Sequence, residues 1–181
     1  GALEYIGTNP TIKHIITVDD DIEFLYENHI ERIMDLSSRR PVVVLTHSGL
    51  RLVHPPYRFR DGLDNDNYTR YVDVPAGFFG VLYPVKCLRE NAHLLTDDFI
   101  NTLPSGVFHD DETFMAIVCG IAGIPIYSFK GEHAVMVRQT YDGGSAISEQ
   151  MGKDRTDNET ELYQFAVSKG YLPNKHVSFT K

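Results

Sequence analysis

The chain has 181 residues, 42% of them hydrophobic and 23% charged, which suits one compact domain with a sizeable core. A formal net charge of -8 repels a phosphate backbone and sets aside broad nucleic-acid binding, although a single nucleotide stays open because one metal ion can supply positive charge locally. Cys87 and Cys119 are far apart in no Cys-x-x-Cys pair, which argues against zinc fingers and disulfide scaffolds, and neither a run of about 18 apolar residues nor a basic-then-apolar leader is visible, so a cytoplasmic setting is expected.

In chain order, His14-Ile15-Ile16-Thr17-Val18 is short and β-branched and predicts a buried strand that stops at Asp19. Leu25, Ile30, Ile33 and Met34 fall near helical spacing and predict a helix over 22–36. Residues 41–46 read as a second buried strand, 54–67 as an exposed loop rich in Pro, Asp, Asn and Arg, and 70–74 as a strand. Gly77 and Gly80 within 76–84 suggest tight turns or a close approach of backbone to a ligand. Thr96 is the expected N-cap of a short helix over 96–103. A stronger helix covers 110–122 and stops at Gly123, a suitable left-handed terminator. A strand over 124–129 follows, then irregular chain over 130–155. The last helix, over 158–169, starts from a cap at Asp157 or Asn158 and stops at Gly170. Strands alternating with helices predict one α/β domain over residues 1–181, with a mixed, mostly parallel sheet flanked by helices.

Three consecutive acids, Asp19, Asp20 and Asp21, end the first apolar strand. In extended chain Asp19 and Asp21 leave on one side, and two carboxylates there make a hard oxygen site for Mg2+ or Mn2+. Strand C-termini in open α/β sheets are also where ligands usually bind. The plainer alternative is helix capping. One acid would serve for that, whereas three repel one another unless a cation offsets them.

The segment from His14 to Ile22, triplet included, resembles the Asp-x-Asp strand end of GT-A glycosyltransferases. Gly77-Phe78-Phe79-Gly80-Val81-Leu82-Tyr83-Pro84 resembles the Gly-rich segment before the acceptor helix in many of these enzymes. Phe108-His109-Asp110-Asp111-Glu112-Thr113-Phe114, followed by an apolar helix and Gly123-Ile124-Pro125-Ile126-Tyr127, resembles their late acidic motif. The three motifs stand in the family's order, which is more specific than any one of them.

That resemblance implies a GT-A-like fold and metal-dependent transfer of a sugar from a nucleotide-sugar, a UDP-sugar first, to a hydroxyl of a sugar or glycan acceptor. The cofactor implied is Mn2+ or Mg2+. Asp21 would contact the metal and the donor diphosphate, and Asp19 would act through the ribose or a metal-bound water. His133 is the candidate third metal ligand. Asp19, Asp20, Gly77 and Gly80 are expected around the donor, and Asp110 or Asp111 near the acceptor hydroxyl, with Asp111 the favoured general base of an inverting reaction. The plainer roles are a capping pair for Asp110 and Asp111, a turn for Gly77 and Gly80, and a surface histidine for His133.

In the family a long N-terminal strand-and-helix portion precedes the Asp-x-Asp strand. Here the triplet arrives at Asp19, so that portion is expected to be missing. An exposed sheet edge or apolar face, and association into a homo-oligomer, are the expected consequences. Two other readings compete. A non-catalytic protein of glycosyltransferase-like shape would keep the fold without turnover. A haloacid-dehalogenase-like phosphatase would also carry Asp-x-Asp after a first strand, but Ile22-Glu23-Phe24 and His109-Asp110-Asp111-Glu112 fit its motifs poorly.

Overall fold

A computed structural model describes residues 5, 9–18, 22–24, 28–53, 58–61, 70–105, 107, 110–129, 137–139 and 160–172. Its elements are β1 (His14–Thr17), β2 (Ile22–Phe24), α1 (His29–Arg39), β3 (Val44–Val53), β4 (Arg58–Asp61), β5 (Arg70–Val72) and β6 (Val74–Pro84). Then come α2 (Val85–Glu90), a 3-10 turn (Ala92–Leu95), α3 (Asp97–Ile100), α4 (Asp111–Ala122), β7 (Ile126–Ser128) and β8 (Val137–Gln139). A last helix, α5, runs over 160–168.

Six strands form one open sheet in the order β1-β6-β3-β7-β5, with β4 also paired to β3. The expected mostly parallel sheet is corrected: only β3 and β7 run parallel, and the other pairings are antiparallel. Parallel neighbours need a long crossover. The chain instead returns beside β3 directly, as β4 and as β6, and only β7, reached after α2, α3 and α4, lies parallel to it. The fold is therefore mixed α/β with a mostly antiparallel sheet.

Helices cover both faces, as the strand alternation requires. On β1, β3 and β6, Ile15, Val44, Val81 and Tyr83 point into the larger core, with Ala116 and Ile117 of α4 and Leu162, Tyr163 and Ala166 of α5. Ile16, Leu45 and Leu82 point to the other face, against Ile33 and Leu36 of α1 and Phe129. Full burial of one such aliphatic side chain contributes about 1.5–3 kcal/mol. Cys87 and Cys119 are both buried free thiols.

Local signals place most helix ends. Thr96 caps α3 by accepting the Phe99 amide. Gly123 closes α4 at φ 66°, with the Ile124 amide reaching back to the Cys119 carbonyl at 2.8 Å, and Gly170 ends α5 at φ 71°. Several expectations are corrected where pairing is not local. Residues 22–24 form a strand, not the start of a helix, because they pair with 137–139, which in turn are not irregular. The helix begins at His29. The strand expected over 41–46 is β3, which runs on to Val53, and β4 lies within the expected loop. Residues 76–84 belong to a long strand, not to a chain of turns. Among the described residues no helix is long and apolar enough to cross a membrane. β1 pairs on one side only among the described residues, and Val18 beyond it is 48% exposed.

Candidate functional site

The site grows from an irregularity where β6 meets β3. Ala76 pairs with Ser48 and Val81 with Thr46, so residues 77–80 of β6 stand opposite His47 alone. This is an enlarged bulge that lifts the Gly-rich segment out of the ladder. At its near end the buried Thr46 hydroxyl donates chiefly to the Ser48 carbonyl at 2.5 Å and lies 3.1 Å from the Ala76 carbonyl as a second, weaker acceptor. Gly80 returns the chain to the sheet at φ 86°, a left-handed conformation that a side chain would strain.

The first turn of α4 meets this bulge. The Gly77 amide donates to Oε1 of Glu112, linking the Gly-rich segment to the late acidic motif. Asp110 is the N-cap of α4: its Oδ1 accepts the Thr113 amide at 2.9 Å and its Oδ2 accepts the Thr113 hydroxyl. Thr113 in turn bonds the Tyr163 hydroxyl of α5 at 2.7 Å, with both residues buried. Asp111, the next residue, is exposed, and its side chain makes no hydrogen bond to another described residue.

Tyr83 pairs with Ile15 of β1 and shares a core with Ala116, Ile117 and Cys119 of α4. Burial, chiefly, pushes its phenol far above the ordinary range, and Cys119, Asp111 and Glu112 push the same way, while the Thr17 side chain beside it pulls down. Tyr83 is thus neutral and hydrogen-bonding at any physiological pH. Thr17 is the last residue of β1, two positions before Asp19. The β1 end, the Gly-rich bulge and the start of α4 therefore meet around Tyr83, a residue for which neither composition nor periodicity gave a signal.

Gly77 and Gly80 both sit in this constellation, with the Gly77 amide already engaged by Glu112. Asp19, Asp20, Asp21 and His133 lie outside the described residues. The β2–β8 pairing joins the chain just after the triplet to the chain just after His133. Among the described residues no group of three or more His, Cys, Asp or Glu could hold a metal ion.

On the opposite face of the sheet, α1 is held by histidines that the motifs did not single out. His29 Nδ1 and His47 Nε2 are 3.1 Å apart, with one ring the donor and the other the acceptor. The rings stack at 4.6 Å, and His47 also packs on Phe129. Burial, then His29 and Arg32, hold His47 down to about 3. At the other end of α1, the Ser37 hydroxyl and His14 Nε2 are 2.9 Å apart, and burial with Lys13 nearby lowers His14 too. Comparison with known proteins adds no family: no protein-family model matches the chain, and no curated protein matches it.

Proposed function

We propose that this protein is a metal-dependent glycosyltransferase of GT-A-like fold that moves a sugar from a nucleotide-sugar donor to an acceptor hydroxyl. The observation that carries the reading is the meeting of three distant segments: Gly77 bonded to Glu112 of α4, and Tyr83 of β6 paired with Ile15 of β1 and sharing a core with Ala116 and Ile117 of α4. They are the three segments whose order in the sequence resembles that family. Of the three acids opening α4, Asp110 caps the helix and Glu112 holds Gly77. Asp111 alone presents an exposed carboxylate without a described hydrogen-bond partner. It suits a general base that takes the proton from the acceptor hydroxyl as the new bond to the anomeric carbon forms and the nucleoside diphosphate leaves.

The acid triplet is a hard oxygen donor set that fits Mg2+ or Mn2+, and in sequence it begins two residues after Thr17, the last residue of β1. A cation held by the triplet would supply neutralising charge for the departing diphosphate. Tyr83 stays neutral and packs the β1 end against α4, and Asp111 handles the acceptor proton. Calorimetric titration with UDP-glucose and other nucleotide-sugars, with and without Mn2+, tests the reading. Mn2+-dependent binding of one donor is expected, and Asp111→Asn keeps that binding while losing transfer by roughly 100-fold or more. Binding of no nucleotide-sugar would favour a non-catalytic protein, and full transfer by Asp111→Asn would move the base elsewhere.

A further inference from the structure

We infer that Glu112 is a positioning residue, holding the bulge at residues 77–80 against α4 so that Asp111 and the end of β1 keep a preset spacing. The inference rests on the transferase reading for its consequence, but its physical content is local. Four residues of β6 face a single residue of β3, so the ladder itself does not fix their path. The last paired residue before the excursion, Ala76, lies opposite Ser48, and the left-handed Gly80 stands at its other end. The Gly77 amide is a ladder donor displaced by the bulge, and Glu112 accepts it from a different element. A half-buried backbone donor left without a partner is costly, so this contact has a strong reason to persist. Glu112 lies next to Asp111 on the first turn of α4. Holding Gly77 therefore sets the distance from the bulge to the candidate base through one side chain, and small displacements of reacting groups have large effects on rate.

Two substitutions separate reach from charge. Glu112→Gln keeps the side-chain length and an oxygen that accepts the Gly77 amide, and removes the charge. Glu112→Asp keeps the charge and is one methylene too short to hold Gly77 in place. Both residues are tolerated in the first turn of a helix, and a thermal scan of each variant checks that the fold persists. Steady-state transfer and hydrogen exchange over residues 76–81 are then measured for wild type and both variants. Positioning predicts that Glu112→Asp exchanges faster and loses about 100-fold in kcat with little change in donor KM, while Glu112→Gln retains wild-type exchange and most of kcat. The reverse order, an active Asp variant and an inactive Gln variant, overturns the inference and makes the carboxylate a chemical participant. Equal exchange in all three proteins also overturns it. If wild type transfers no sugar, the transferase reading fails by itself, and the exchange comparison still decides whether Glu112 holds the bulge.

Discussion

Asp110 and Asp111 stand side by side with identical carboxyl groups and differ in what surrounds them. The Asp110 carboxylate takes both the amide and the hydroxyl of Thr113, and Thr113 carries the link on to Tyr163. Asp110→Ala removes a helix cap and is expected to cost about 1–2 kcal/mol in urea unfolding. Asp111→Asn, at an exposed position, should stay within about 0.5 kcal/mol of wild type. Equal stabilities would show that the Asp110 cap contributes nothing measurable to the fold. The sequence offered capping and catalysis for this pair without dividing them, because two adjacent acids at a helix start fit the same capping pattern. Glu112 was harder still to single out. Its partner Gly77 is 35 residues away, and no period or cap rule reports a contact of that range.

At the scale of elements, α4 and the end of α5 are in backbone contact. A Cβ built on Gly120 would lie 1.9 Å from the Tyr171 carbonyl oxygen, so the two segments must separate to admit any side chain. Gly120→Ala is therefore expected to lower stability by about 1–3 kcal/mol, despite the better helix propensity of Ala. An unfolding midpoint at or above wild type would show that the segments are not so tightly apposed. On the other side of the sheet α1 buries His29, Ile33 and Ser37, one residue per turn, and only Ile33 among these is apolar. Ile30 and Met34 of the same helix are 44% and 37% exposed. Two hydrogen-bonded contacts thus act together with the burial of Ile33 and Leu36 to fix where α1 lies. Helix ends at Thr96, Asp110, Gly123 and Gly170 were legible because caps and left-handed glycines act within a few residues. β2, β4 and β8 were not, because their stability comes from partners elsewhere in the chain.

For the molecule as a whole, the histidines on the α1 face make stability depend on pH. The folded protein keeps His47 neutral down to about 3, whereas the unfolded chain binds the proton near the ordinary value of about 6.5. Acid therefore favours the unfolded chain. His47's contribution is complete above about pH 6.5 and declines progressively as pH falls toward about 3, by at most about 1.4 kcal/mol per pH unit. His14, also lowered, acts in the same direction. Between about pH 5 and 6.5 ordinary carboxylates remain ionised, so a loss there reports on histidine. Urea unfolding across this range should show a smaller loss for His47→Gln than for wild type, and identical slopes would assign the acid sensitivity to other groups. The class of fold was readable as mixed α/β from alternating apolar runs and caps. Strand direction was not, since antiparallel return beside β3 depends on how β4 and β6 double back. The bulge opposite His47 has a consequence of an evolutionary kind. Pairing resumes on both sides of it, so lengthening or shortening that segment need not shift the strands that frame the core, and doubling its length would add only about 0.6 kcal/mol in closure entropy. Insertions and deletions between Ala76 and Val81 thus offer descendants of this chain a way to reshape this surface while the core keeps its register.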